Sequence, residues 1–178
     1  KEWTALWAGK CIVSENRRII EGVVVQLLSE RGEWLATAES CTGGTIANRI
    51  TDVSGASRVL GHGWVTYANE AKHQHLGVPM ELIETHGAVS EEVARAMAEG
   101  ALKNSGADYA LAVTGIAGPS GGTPEKPVGT VWIGLAAKKG ETWAQKKFSP
   151  GSRDRFKLLT SQAALEMLRR RMLGIGVR

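Results

Sequence analysis

The chain is poor in the residues that build covalent or metal-held frameworks. It has two cysteines, Cys11 and Cys41, in 178 residues. That is too few for a disulfide scaffold, and their separation matches no metal-binding spacing. A reducing, cytoplasmic setting fits this usage best. No apolar run approaches the ~20 residues of a membrane span, and the first residues lack a signal-peptide core, so no membrane partner is expected. Only two Phe and two Tyr occur, and few aromatics sit among the basic residues, unlike a nucleic-acid stacking platform. The six Trp are scattered and read as core or interface packing. The 22 basic and 18 acidic residues leave a net charge of +4, which suits a small anionic substrate better than nucleic acid.

What is present is an ordinary globular composition, 43% hydrophobic and 22% charged. The length argues for one domain with a real core. Residues 1–13 have no clear period and read as an N-terminal extension; residues 14–173 read as the domain. Ser14 is a plausible cap for a helix carrying Ile19, Ile20, Val23, Val24, Leu27 and Leu28, which Gly32 ends. Trp34 to Ala38 and Leu60 to Tyr67 read as strands, the second with its start loosened by Gly61 and Gly63. Asn69 can cap a short helix that Gly77 and Pro79 close. Ser90 with Glu91 and Glu92 opens another helix, whose face holds Ala94, Ala98 and Ala101. Tyr109 to Val113 is a continuous apolar strand, covered on both faces. Val128 to Ala136 and Thr142 to Phe148 form an antiparallel hairpin, and a last helix ends in Arg169-Arg170-Arg171, taken as a solvated terminus. Alternating strands and helices that finish in a hairpin predict a three-layer α/β/α sandwich with a mostly parallel, mixed sheet.

The stretch Thr37-Ala38-Glu39-Ser40-Cys41-Thr42-Gly43-Gly44-Thr45 turns from strand to helix through small residues. Free N–H groups and the positive end of a helix dipole suit an anion or a developing oxyanion there. In open α/β sheets ligands sit beyond the carboxyl ends of the strands. The turns after the strands at 34–38, 64–67 and 109–113 then share one rim if those strands are parallel neighbours. Ser40, Tyr67 with Lys72, and Thr114 with Gly115 fall on that rim.

A serine needs a base, and its oxyanion needs donors. Lys72 serves if burial depresses its pKa, and Tyr67 could relay a proton or hold the geometry. Backbone N–H groups of Cys41, Thr42, Gly43 and Gly44 are the natural oxyanion donors. Cys41 is the rival nucleophile, although neighbouring turn residues seldom point the same way. His73 and His75 fall on different helix faces and His86 precedes a helix, so no metal site is expected. The Thr114–Gly122 turn is neither a P-loop nor a dinucleotide fingerprint. Thr114, Gly115 and Gly118 could still cradle a phosphate, with Arg153 as cationic partner. A bland Gly/Pro surface loop explains the same composition equally well.

Five segments carry a resemblance: Ala38 to Gly44, Thr66-Tyr67-Ala68-Asn69-Glu70-Ala71-Lys72, His86-Gly87-Ala88-Val89-Ser90, Thr114 to Pro119, and Lys126-Pro127-Val128-Gly129-Thr130-Val131. In this order they resemble the nicotinamide-nucleotide amidohydrolase family, that of the CinA C-terminal domain, over roughly residues 17 to 170. The resemblance implies hydrolysis of the amide of nicotinamide mononucleotide to nicotinate mononucleotide and ammonia, in pyridine nucleotide salvage. It also implies a Ser-Tyr-Lys set at Ser40, Tyr67 and Lys72, with no metal and no cofactor. The larger N-terminal domain of full-length relatives has no counterpart in this sequence. Two functions stay open: an amidohydrolase acting on a nucleotide, and a non-catalytic nucleotide-binding or assembly module. The small-residue helix face and the many Trp hint at a homo-oligomer.

Overall fold

The computed structural model describes residues 20–176. The N-terminal extension, the helix start at Ser14, Cys11, Trp3 and Trp7 lie outside these residues. In chain order the elements are α1 (Ile20–Arg31), β1 (Leu35–Glu39), α2 (Thr45–Thr51), a 3-10 turn (Ala56–Arg58), β2 (Leu60–Val65), α3 (Asn69–Leu76), α4 (Met80–His86), α5 (Glu91–Ser105), β3 (Tyr109–Gly115), β4 (Thr130–Ala137), β5 (Trp143–Phe148) and α6 (Arg153–Met172). The five strands form one sheet in the order β2-β1-β3-β4-β5. β1 runs parallel to both β2 and β3, whereas β4 and β5 return antiparallel. This is the expected α/β/α sandwich with a mixed sheet.

The period of two along each strand divides the core. Leu35, Leu111, Val113, Ile133 and Leu135 face α1, α2 and α6, where Val24, Leu28, Ile46, Ile50, Phe156 and Leu165 cover them. Ala36, Ala38, Ala110, Ala112 and Ala136 face α3, α4 and α5, meeting Leu76, Ile83, Val93, Met97 and Ala98. One face is bulky and the other small, so α5 lies close to the sheet. A Cβ on Gly134 would stand 2.3 Å from the Ala94 carbonyl oxygen, and one on Gly100 1.8 Å from that of Leu76. The small-residue face of α5 is therefore spent inside the domain and gives no support to an oligomer.

The start of β2 is irregular at Gly61, as expected: its pairing with β1 passes from Leu35 opposite Leu60 to Ala36 opposite His62, whereas Gly63 sits in register opposite Thr37. Both glycines also make room, for a Cβ would lie 3.3 Å from the Trp34 ring in one case and 3.2 Å from Thr37 Oγ1 in the other. Other local expectations are corrected. Asn69 is the first residue of α3, and Ala68 holds the cap position. Pro79 caps a short helix, α4, so His86 ends a helix rather than standing in a turn. Arg169 is buried and paired with Glu166, and Arg171 stacks on Trp143 at 4.3 Å, so the arginine run is only partly solvated. The four described Trp are all partly exposed. No helix among the described residues is long and apolar enough to cross a membrane.

The start of α2 is capped in a way the sequence reading did not anticipate. Gly44 at its N-cap has φ 94° and makes no side-chain cap. Instead Glu39, fully buried at the end of β1, accepts the N–H groups of Gly44 (3.0 Å), Ile46 (3.0 Å) and Ala47 (2.9 Å). A carboxylate at the positive end of a helix dipole, with charge-assisted bonds, is well compensated. Gly43 (φ 60°) and Gly44 supply the left-handed backbone that brings the chain round to it. Glu39→Ala is expected to cost about 3 kcal/mol, from lost charged hydrogen bonds and a cavity, and to lower Tm by roughly 6–12 °C. Glu39→Gln should fall between. A thermal scan of Glu39→Ala within 2 °C of wild type (roughly the span of under 1 kcal/mol) would contradict this role.

Candidate active site

The site grows from the carboxyl ends of β2, β1 and β3. The ladder runs one residue beyond β1: Ser40 N–H bonds the Val113 carbonyl at 3.1 Å, and Thr66 N–H bonds the Glu39 carbonyl at 2.8 Å. Glu39 is opposite Val65 on one side and Val113 on the other. One further step sets Thr66, Ser40 and Thr114 side by side. Adjacent strands are ~4.8 Å apart, and alternation puts all three side chains on the alanine face, beneath α3 and α5. Three hydroxyl residues thus share a row at one rim.

Their partners differ. Thr114 Oγ1 donates to the Ala88 carbonyl at 2.7 Å, which ties the rim to the α4–α5 loop. Ser40 is 8% exposed, and its hydroxyl has no hydrogen-bond partner among the described residues. Thr66 Oγ1 is buried and likewise unpartnered. Lys72, on α3, is 1% exposed and reaches back to the same strand end. Its Nζ donates to the carbonyls of Thr66 (3.1 Å), Tyr67 (3.1 Å) and Ala68 (3.4 Å). Burial pulls its pKa below the usual lysine value, against the Cys41 sulfur and the Glu70 carboxylate, which act the other way.

Cys41 follows Ser40 and is buried as well, and burial pushes its thiol up to about 12. A thiol so protonated is a poor nucleophile at neutral pH. Of the turn's N–H groups, Gly44 is taken by Glu39 and Gly43 by the Ser40 carbonyl at 3.0 Å. The expectation that the whole turn offers donors is corrected: Cys41 and Thr42 alone keep N–H groups without an oxygen acceptor among the described residues. Thr42 Oγ1 is also buried and unpartnered.

Tyr67 is exposed beside this row. Its hydroxyl accepts from Arg153 Nη2 at 2.8 Å, while Arg153 Nη1 donates to the Gly118 carbonyl at 3.1 Å. That hydroxyl holds the guanidinium still more firmly in its charged form. The start of α6, the Gly118 loop and the β2–α3 turn are joined through this one side chain. In the Thr114–Gly118 segment the Thr114 hydroxyl and the Ile116 N–H are already spent, the latter on the Thr130 carbonyl. Gly115 and Gly118 serve packing, since a Cβ would meet Thr130 and Val131 in one case and Val128 in the other. In this segment the Ala117 and Gly118 N–H groups, beside Arg153, lack a backbone acceptor among the described residues.

Three residues were not singled out from sequence. Glu39 was passed over, although it is the only charge between Trp34 and Ile46. Lys157 lies one helical turn after Arg153, with its Nζ 3.9 Å from where a Gly43 Cβ would stand. That i,i+4 pair of cations was the available signal. Thr66 entered only as the first residue of one resembling segment, with no role of its own. The histidines are dispersed: His62 stacks on Trp64, His73 meets the Val78 carbonyl, and His86 pairs with Glu92. No group of three or more His, Cys, Asp or Glu that could hold a metal occurs among the described residues.

The CinA C-terminal domain model matches residues 17–172. A CinA-like protein of Akkermansia muciniphila is 54% identical over 158 residues, covering 89% of this chain and 38% of that protein. One from Geobacter sulfurreducens is 53% identical over 165 residues, covering 93% and 40%. This chain therefore spans about two fifths of the length of these relatives. The crystal structure of the competence/damage inducible protein CihA from Agrobacterium tumefaciens superposes with a TM-score of 0.82 at 44% identity, covering 84% of this chain and 92% of that one. A CinA superfamily protein from Klebsiella pneumoniae gives 0.82 at 34% identity, covering 86% and 95%. Matched along almost all of its domain in both sequence and fold, the chain belongs to the CinA C-terminal domain family.

Proposed function

We propose that the domain is a nicotinamide mononucleotide deamidase with Ser40 as nucleophile. The observation that carries this reading is a Ser40 hydroxyl with no partner among the described residues, set one strand away from Thr66, whose carbonyl holds the buried Lys72 ammonium. Family membership supports the reaction class. Ser40 Oγ attacks the carboxamide carbon as Lys72 takes up the serine proton, directly or through a neighbouring group. The oxyanion is met by the Cys41 and Thr42 N–H groups. Lys72 returns the proton to the departing amine, ammonia leaves, and water hydrolyses the acyl-serine.

Arg153 and Lys157 supply two cations on one side of the row, suited to the 5′-phosphate. Tyr67, accepting from Arg153, keeps its own O–H free to donate and orients substrate between the phosphate end and the amide end. One observation favours the rival reading of a nucleotide-binding module. Three carbonyls satisfy all three protons of a Lys72 ammonium, as they would for a purely structural lysine. Ammonia release from nicotinamide mononucleotide by the purified chain decides between them: sustained release is expected, and binding without release would sink the enzyme reading.

Ser40→Ala is expected to lower turnover about a thousandfold or more, whereas Cys41→Ala keeps it. Covalent trapping on Cys41 would reverse that assignment. Turnover should rise with pH along one ionisation below the ordinary lysine value of 10.5, because only the neutral amine can accept the proton. Lys72→Arg, which stays protonated, should be inactive; an active variant with the same profile would remove Lys72 as base. Arg153→Ala should raise KM about ten- to a hundredfold with a smaller fall in kcat. Hydrolysis of nicotinamide riboside as fast as the mononucleotide would refute the phosphate role.

A further inference from the structure

We propose that Thr66 is the proton relay between Ser40 and Lys72. This rests on the serine-nucleophile reading and deepens it. Thr66 combines three properties found together at no other residue of the rim. It stands beside Ser40 in the strand register, its backbone carbonyl holds Lys72 Nζ at 3.1 Å, and its hydroxyl is buried without a partner among the described residues.

A buried hydroxyl left without a partner is costly, so its retention at such a point calls for a use. The protonation states of Lys72 supply one. As an ammonium, Lys72 has three N–H groups for its three carbonyls. As a neutral amine it has two N–H groups and a lone pair, so one carbonyl bond is given up and the lone pair needs a donor. With Lys72 held on its three carbonyls, the Thr66 hydroxyl is bonded to neither Nζ nor Ser40 Oγ; once one carbonyl bond is given up, Nζ turns to this hydroxyl, which belongs to a residue it already touches. Donating to Nζ leaves its oxygen free to accept from Ser40 Oγ. Proton transfer then runs in one sense: Ser40 O–H breaks as its proton passes to Thr66 Oγ1, and the Thr66 proton passes to Nζ. The products are a serine oxygen bonded to the substrate carbon, an unchanged threonine and a lysine ammonium. The reverse transfer protonates the leaving amine. Thr114, the other neighbour of Ser40, cannot substitute, because its hydroxyl proton is committed to the Ala88 carbonyl at 2.7 Å.

The test measures how fast a fluorophosphonate modifies Ser40, which reports serine activation without requiring any particular substrate. Wild type, Thr66→Val, Thr66→Ser, Lys72→Met and the Thr66→Val/Lys72→Met double variant are compared. Thr66→Val keeps the shape and removes only the hydroxyl. It should label about a hundredfold slower or worse, while its Tm stays at or above wild type because a partnerless buried polar group is gone. Thr66→Ser should restore labelling to within about tenfold of wild type. Groups acting in series are not additive, so the double variant should label no slower than the slower single variant. The proposal is overturned if Thr66→Val labels at the wild-type rate, if Thr66→Ser is as slow as Thr66→Val, if the two effects multiply, or if wild-type Ser40 is not labelled. Rapid labelling of wild type with no ammonia from nicotinamide mononucleotide would sink the substrate assignment alone and leave the relay standing.

Discussion

The Glu39 carboxylate is the constraint on which the site depends. It is wholly buried and forms no ion pair among the described residues; three N–H groups at the start of α2 compensate it. Such a charge can be kept only if the helix start stays where it is. That fixes the path of the five residues between them, and with it the positions of the Ser40 hydroxyl and the Cys41 and Thr42 N–H groups. It also resolves how a helix terminus can border the site without being its anion hole. The dipole is spent on the protein's own carboxylate, and the donors left for chemistry are those of the turn.

The second organising feature is the contrast between the two faces of the sheet. Bulky side chains on one face hold α1, α2 and α6, and alanines on the other let α5 approach closely. From α3, packed on α5, the long side chain of Lys72 folds back onto the end of β2. An apolar surround makes the ammonium costly, while carbonyls satisfy its protons. The balance between those two opposing effects determines whether this lysine is a base or a fixture. The buried lysine therefore lies on the alanine face, and the cations Arg153 and Lys157 come from α6 on the other, with the strand ends between them.

The arrangement divides labour along the chain. Elements early in the sequence supply Ser40, the Cys41 and Thr42 N–H groups and Lys72, whereas the last helix supplies Arg153 and Lys157. Arg153 joins the two halves through Tyr67 and Gly118. The position of Tyr67 is thereby coupled to the docking of α6, whose Phe156 and Leu165 are anchored in the larger core. Relatives such as the Akkermansia and Geobacter proteins carry the matching stretch within a chain more than twice as long.

Hydropathy period and punctuation alone determined the strands, most helices and the sandwich, because strand and helix periods are local properties that burial of one face imposes. The rim at 40, 66–72 and 114 followed from parallel neighbours whose turns lie at one end. Ser90 as a cap and Gly32 as a helix end were legible for the same local reason. Tertiary structure alone decided the rest. Whether Glu39 meets solvent or a helix start, whether a lysine after a strand is solvated or ringed by carbonyls, and whether a threonine hydroxyl finds a partner all depend on atoms distant in sequence. Cys41 and Ser40 are neighbours with nearly the same sequence context, yet burial silences one thiol and leaves one hydroxyl unengaged. Solvent exclusion and hydrogen-bond saturation are properties of the packed interior, and no stretch of sequence carries them by itself.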